Sequence, residues 1–286
     1  MPCNANSGRD KMNSNAKVSC PACGAVDREF LFSQKGWTVY KCSSCGLGVL
    51  DPKPSPEELA ALYRDAYFVG HYDEGMSPGS DAMRKRLSQE GHRINFFRPF
   101  KKTGRILDIG CGRGYFLMAC RERGFDVQGF DVSEDGAAYV RETLGIPVKT
   151  GMLETAFEDH SFDVITMWHS LEHTSEPAKY IELARRWLKP DGVLVIDVPN
   201  YTGTDASMKG DAWGDWDLPY HLLHFTPRSL DTLLQRHGFV VMRRKTYHSS
   251  VIREKLSNIP LLGLVARPLA KLFTGGSYAV VAKKKS

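Results

Sequence analysis

"GRILDIGCGRGYFLMACRERG", Gly104 to Gly124, decides how the rest of the chain is read. Ile106-Leu107-Asp108-Ile109 is an apolar run of the length a short buried strand needs. Gly110, Gly112 and Gly114 follow, then a helical pattern with Phe116, Leu117 and Ala119 on its inner side. Glycines between a strand and a helix let a ligand approach the backbone closely. The spacing is GxGxG rather than GxGxxG, so the loop alone is a weak signal, which Asp108 just upstream strengthens. The next strand, "DVQGFDVS", ends in Asp131, about where the second strand of a βαβ unit should end. A carboxylate there can accept hydrogen bonds from both hydroxyls of a ribose. Ser133 stands where it can cap the next helix.

Further motifs stand in register: "SFDVITMWHSLEHTSEP" from Ser161 and "LKPDGVLVIDVPN" from Leu188. With "ILDIGCGRGYF" and "GFDVS", they resemble the class I S-adenosylmethionine-dependent methyltransferases over about Gly104 to Asn200. The nearest pattern is that of the ubiquinone-biosynthesis O-methyltransferases. The resemblance implies an α/β fold, a seven-stranded Rossmann-like sheet over 102–286 whose last two strands pair antiparallel at one edge. It also implies an enzyme. Asp108, Gly110, Gly112 and Gly114 would surround the amino-acid end of S-adenosyl-L-methionine. Asp131 would hold the ribose, Val132 would flank the adenine, and the Leu153 backbone would cover its edge. Met167 and Trp168 would lie near the methionine part and the transferring methyl. The chain departs from the family at Met152, where an acid is common. A nicotinamide enzyme would want GxGxxG and has no use for "LEH" or "LKPDG". A non-catalytic cofactor-binding protein is a further alternative, against which the intact glycine loop and Asp131 argue.

Methyl transfer to a hydroxyl often needs a base for the acceptor proton, and histidine suits neutral pH. His169 and His173 follow the fourth strand, at the end of the sheet where α/β folds bind ligands. His173 belongs with Glu172 to a recurrent family motif that shapes its loop. His221 and His224 lie in "WGDWDLPYHLLHFTPRSL", the connection that in this fold roofs the acceptor pocket. His221 is the leading candidate base and His169 the second. His224 reads as a staple beside the Thr226-Pro227 helix start, and Trp213 and Trp216 as pocket walls.

Two CxxC pairs, Cys20/Cys23 and Cys42/Cys45, carry the spacing of a zinc ribbon over residues 18–50. Gly24 and Gly46 sit where the knuckles must turn, and two short strands are expected around Lys35-Gly36. Four thiolates leave no open position, so Zn2+ here is structural. Redox-active dithiols would need a thioredoxin-like context that is absent. Some bacterial members of the family carry such a ribbon and a "DPKPSPEELAALYRDAYF"-like connector.

Residues 51–101 read as a helical bridge or lid. One helix starts at Ser55-Pro56 with Leu59, Leu62, Tyr63 and Tyr67 as its stripe, and a second has Ile94, Phe96 and Phe97 on its apolar side. Residues 1–17 read as a disordered leader with no apolar stretch, hence no signal peptide. No apolar run approaches about 20 residues, so no spanning helix is expected, and the compartment reads as cytoplasmic. Between the last two strands, 251–274 forms an amphipathic insertion with Arg253, Lys255, Arg267 and Lys271 among its leucines. Packing on protein, or peripheral contact of 256–272 with an anionic membrane, are its two readings. The net charge of +5 is mild, and the ribbon sets Arg28, Lys35 and Lys41 against Asp27 and Glu29. A small-molecule or carrier-linked acceptor is therefore expected rather than RNA, with oxygen as the leading acceptor atom and carbon or nitrogen open.

Overall fold

The computed structural model describes residues 19–55, 57–58, 76–259 and 262–285. The leader, the stripe Leu59 to Tyr67, and the stretch 70–75 of the bridge lie outside the described residues.

Strands β1 (Arg28–Gln34) and β2 (Trp37–Cys42) form an antiparallel hairpin. Lys35 and Gly36 turn it with φ of 52° and 78°, the left-handed pair that a two-residue hairpin loop requires. β3 (Gly48–Leu50) pairs antiparallel with β2. The large sheet contains β4 (Gly104–Ile109), β5 (Phe125–Phe130), β6 (Val148–Lys149), β7 (Phe162–Trp168), β8 (Leu188–Pro199), β10 (Phe239–His248) and β11 (Thr274–Lys284). Its order is β10-β11-β8-β7-β4-β5-β6. The five strands from β8 to the β6 edge are parallel, while β11 runs antiparallel to β8 and β10 to β11. This is the expected seven-stranded Rossmann-like sheet. The chain winds outward in both directions from the β4/β7 pair, and a crevice opens there at the carboxyl ends of the strands.

Helices cover both faces. α1 (Asp81–Phe97), α2 (Tyr115–Arg121) and α3 (Glu134–Glu142) pack on one face, where Ile94, Phe97, Phe116, Leu117 and Val140 join Ile106, Val164 and Val193. Ser80 caps α1 by accepting from the Met83 N–H, and Ser133 caps α3 by accepting from Gly136. α4 (Pro177–Trp187) and α6 (Pro227–Arg236) cover the other face, and the short α5 (Thr204–Lys209) follows β8.

The ribbon is not a separate bead. β9 (Leu223–His224), from the connection after β8, pairs with β3 in the register Gly48↔His224 and Val49↔Leu223. The hairpin sheet therefore gains its fourth strand from the larger domain. Phe32 stacks on Trp216 with ring centroids 4.4 Å apart, and Trp213 meets Trp216 edge-on at 5.4 Å. Cys42, Cys45, Leu47 and Leu50 share one continuous core with Trp213, Trp216, Phe225 and Leu230. This corrects the reading of Trp213 and Trp216 as pocket walls: both are buried as mortar between ribbon and sheet. α7 (Ser250–Ser257) and α8 (Gly263–Ala270) form the expected insertion between β10 and β11.

Candidate functional site

The turn after β4 needs its glycines for internal as well as ligand reasons. Gly110, Gly112 and Gly114 have φ of 79°, 50° and 68°, the left-handed region. A Cβ on Gly110 would lie 2.5 Å from that of Ser170, and one on Gly114 would lie 2.8 Å from a Val140 methyl. Ser170 in turn donates to the Ile109 carbonyl at 2.7 Å. The loop is thus locked between the start of α2, helix α3 and the segment after β7.

Asp108, Gly110, Gly112, Gly114 and Trp168 line one cleft of about 230 Å³. Asp108 is buried and accepts from the Thr166 hydroxyl at 2.6 Å. Burial pushes its carboxyl up to about 8, against that hydrogen bond and the nearby Arg93. Trp168 ends β7 with its ring in this cleft, edge-on to Phe116 and 5.1 Å from the Arg93 guanidinium. Met167 does not join it. Successive side chains of a strand point to opposite faces, and Met167 is fully buried on the other side with Ile165 and Ile196.

The sequence reading missed one wall. α1 presents Arg86, Glu90 and Arg93 to the cleft. Glu90 is buried and accepts from both arginines, from Arg93 at 3.0 Å. The three recur at i, i+4 and i+7, a polar stripe on a helix whose sequence signal is its apolar side of Ile94, Phe96 and Phe97.

Asp131 bonds to Gly112 of this cleft and is flanked in sequence by Phe130 and Val132, which line a second. One oxygen accepts from the Gly112 N–H at 2.8 Å and the other from Ser133 at 3.0 Å. Burial raises its carboxyl pKa, and those two bonds act against the rise. Val132, Met152, Leu153 and His173 line the second cleft, of about 390 Å³. Val132 and Met152 are each 69% exposed, so this end has an apolar, open rim.

The histidines converge as a group. His169, at the end of β7, has φ 53°, a left-handed conformation uncommon for a residue with a side chain. Its Nδ1 lies 3.4 Å from Glu172, and its Nε2 lies 3.8 Å from Asp197 and 3.5 Å from the Ser277 hydroxyl. Burial works to lower the His169 pKa, but the two carboxylates outweigh it and carry it to about 9. Glu172 is wholly buried, and among the described residues neither of its oxygens has a hydrogen-bond partner. Burial alone would raise its pKa, yet His169, with further help from His173 and His221, brings it down to about 2. The His173 Nδ1–H donates to the Tyr220 carbonyl at 3.1 Å, and burial holds the ring's pKa down at about 4. His221 packs edge-on against His173 at 4.7 Å, with its Nδ1 2.8 Å from the Asp215 carbonyl. His224 is buried beside Trp216, and burial takes its pKa down to about 3. Its backbone is the staple, and it holds β9 to the ribbon rather than to α6.

Two sets of metal-capable atoms lie within 4.8 Å of one another among the described residues. One is Cys20, Cys23, Cys42 and Cys45; the other is Glu172, His173 and His221. In the cysteine set the Cys20–Cys45 and Cys23–Cys42 sulfur separations are 3.6 and 3.4 Å. Tetrahedral zinc with Zn–S near 2.3 Å wants sulfur edges of about 3.8 Å, so the set fits the ion with small adjustments.

Comparison with known proteins agrees with this geometry. The chain is 32% identical over 117 residues to the ubiquinone biosynthesis O-methyltransferase of Hydrogenovibrio crunogenus, covering 38% of this chain and 48% of that one. It is 33% identical over 109 residues to the protein of that name from Actinobacillus pleuropneumoniae serotype 5b, covering 34% and 47%. The chain therefore spans about half the length of these curated relatives. In fold it is similar to a SAM-dependent methyltransferase from Archaeoglobus fulgidus, with a TM-score of 0.57 and 24% identity, over 77% of this chain and 100% of that one. The methyltransferase domain model matches residues 81–243, from the start of α1 into β10, and the chain belongs to that family.

Proposed function

We propose that the protein transfers a methyl group from S-adenosylmethionine to a small or carrier-linked acceptor, at oxygen, and that zinc in the cysteine set holds the ribbon. The observation that carries the reading is the paired cleft. A charged end is built from Arg86, Arg93, Asp108 and Trp168, an open apolar end from Val132, Met152 and Leu153, and Asp131 stands between them. A zwitterionic amino acid joined through a ribose to a flat base has that order of chemistries.

S-adenosylmethionine supplies the activated methyl and a neutral sulfide leaving group. The chain supplies binding and alignment. Arg86 and Arg93 suit a carboxylate, and Asp108 suits an ammonium once ionised. Asp131 keeps free lone pairs for hydroxyls after meeting its two backbone donors. Trp168 closes the charged end against water. In this reading His169, whose Nδ1 and Nε2 face Glu172 and Asp197, favours the imidazolium form and serves as the electrostatic partner of an oxygen gaining negative charge. His221 would be the base, its ring taking the proton of the acceptor hydroxyl, while the bound cofactor would supply the methyl group and the sulfide leaving group.

The test is methyl transfer from labelled S-adenosylmethionine to a panel of phenols, alcohols and amines. His221→Ala should lower turnover by about 10²-fold with cofactor affinity kept. Unchanged turnover would remove His221 from the role, and no acceptor in the panel being labelled, by the native protein, would count against the enzyme reading.

A further inference from the structure

The loop between β10 and β11 leaves an apolar surface uncovered. Ile259, Leu262, Leu264, Val265, Leu269, Leu272 and Phe273 are all exposed, Leu264 by 89% and Leu272 by 78%. Seven large apolar side chains within fifteen residues exceed the scattered single exposures that a surface normally carries.

Their arrangement on α8 is ordered. At about 100° per residue, Leu264, Pro268, Val265 and Leu269 of α8 share one arc of about 140°, and exposed Leu272 follows in the turn after the helix. Ala266 and Ala270 lie on a different side and are buried against the domain. Arg267 and Lys271 fall beside the edge of the apolar arc. Arg253 and Lys255 add two more exposed cations from α7, and Glu254 is the one acid over 250–273. An apolar arc edged by cations is what a helix lying in the plane of an anionic membrane presents: side chains below the headgroups, ammonium and guanidinium groups among the phosphates.

The platform beneath is firmly tied. The Ser249 hydroxyl donates to buried Asp205 of α5, and the Ser250 N–H reaches the same carboxylate at 3.0 Å. The Ser249 N–H donates to the carbonyls of Ala270 and Phe273 at 3.3 and 3.1 Å. The position is equally specific. The insertion leaves and re-enters the sheet at the carboxyl ends of the parallel strands, where Ser277 pairs with Pro199 and its hydroxyl lies 3.5 Å from His169. The uncovered face and the histidine group are on the same end of the molecule.

We propose that α7 and α8 dock the protein on an anionic lipid surface, through Leu264, Val265, Leu269 and Leu272, with Arg253, Lys255, Arg267 and Lys271 in the headgroup layer. The docking itself does not depend on methyl transfer. Its consequence does rest on the proposed function: an acceptor residing in the membrane would meet the site from the side on which the site opens.

Flotation of the full chain with phosphatidylglycerol-containing vesicles, against pure phosphatidylcholine vesicles, tests it directly. The protein should float with the anionic vesicles and bind the neutral ones at least tenfold more weakly. Leu264→Ser with Leu272→Ser should weaken anionic binding at least tenfold, with an unchanged melting temperature because both side chains are exposed. Arg267→Gln with Lys271→Gln should bring binding on anionic vesicles toward that on neutral ones. Absence of flotation on anionic vesicles at low salt would overturn the proposal, as would flotation indifferent to both double substitutions. So would a dimer, by light scattering, that the Leu264/Leu272 variant dissolves, which would assign the face to a second copy. A failed flotation beside intact methyl transfer would remove the docking and leave the enzyme reading standing.

Discussion

Two clusters of ionisable side chains flank β9, and they were assembled in opposite ways. The cysteine cluster is built from two local knuckles, each closed by backbone bonds such as Gly24 N–H to Cys20 and Gly46 N–H to Cys42, at 2.8 and 2.9 Å. The histidine cluster is built across the chain: Glu172 and His173 come from the turn after β7, and His221 from the lead into β9. The Leu222 N–H to Glu172 carbonyl bond, 2.9 Å, sews those segments together, and the Leu50 N–H to Leu222 carbonyl bond, also 2.9 Å, sews both to the ribbon. One cluster is therefore a property of short sequence, and the other is a property of the assembled fold. The ribbon is the outer wall against which the second is set.

The largest effect is expected at the cysteine cluster. Cys42→Ser should abolish zinc binding and, because the ribbon shares the main core, lower the melting temperature by about 10 °C or more. Metal analysis and calorimetry together check this. A normal melting temperature without zinc would show that the ribbon is held by packing alone. Next is the seam. Trp216→Ala should cost about 3–5 kcal/mol in denaturant unfolding, since it removes a buried ring that touches Phe32, Trp213 and His224.

The second cluster is sharpened by pH. Glu172 has a depressed pKa, so its contribution is present above pH 4.5 and is lost as pH falls through about 2. His169 has a raised pKa, so its contribution is full below pH 6.5 and is lost as pH rises through about 9. Together they contribute fully between pH 4.5 and 6.5. Glu172→Gln should flatten this part of the stability profile and cost about 1–2 kcal/mol inside the window, discounted because the His169 side chain is 38% exposed. The smallest effect is expected at the hinge between the two regions. Thr226 caps α6 by accepting from the Ser229 N–H at 3.0 Å, and its hydroxyl lies 3.4 Å from the Cys45 carbonyl. Thr226→Ala should cost about 1 kcal/mol in the same denaturant assay.

The same contrast explains what could be read from sequence. The glycine turn, Asp131, the hairpin at Lys35-Gly36 and the cysteine knuckles are local, so their spacing carried them. Met167 was misplaced because adjacent strand residues face opposite ways, and the register that assigns Trp168 to the cleft is set by pairing with β4 and β8. Arg86, Glu90 and Arg93 were legible as a stripe, but only docking of α1 beside Asp108 turns a solvated-looking face into the wall of a cleft. Trp213 and Trp216 needed β9 to pair with β3, a contact between residues far apart in the chain, which no periodicity encodes.

The central claim is that the two clefts joined at Asp131 form one cofactor site. Titration calorimetry of S-adenosylmethionine into the full chain, near pH 7 and in two buffers of different ionisation heat, tests it most directly. One site per chain is expected, with release of a proton as buried Asp108 ionises beside the incoming ammonium, and at least a 30-fold loss of affinity in Asp131→Ala, about 2 kcal/mol. Absence of binding, or equal affinity of native protein and Asp131→Ala, would contradict it.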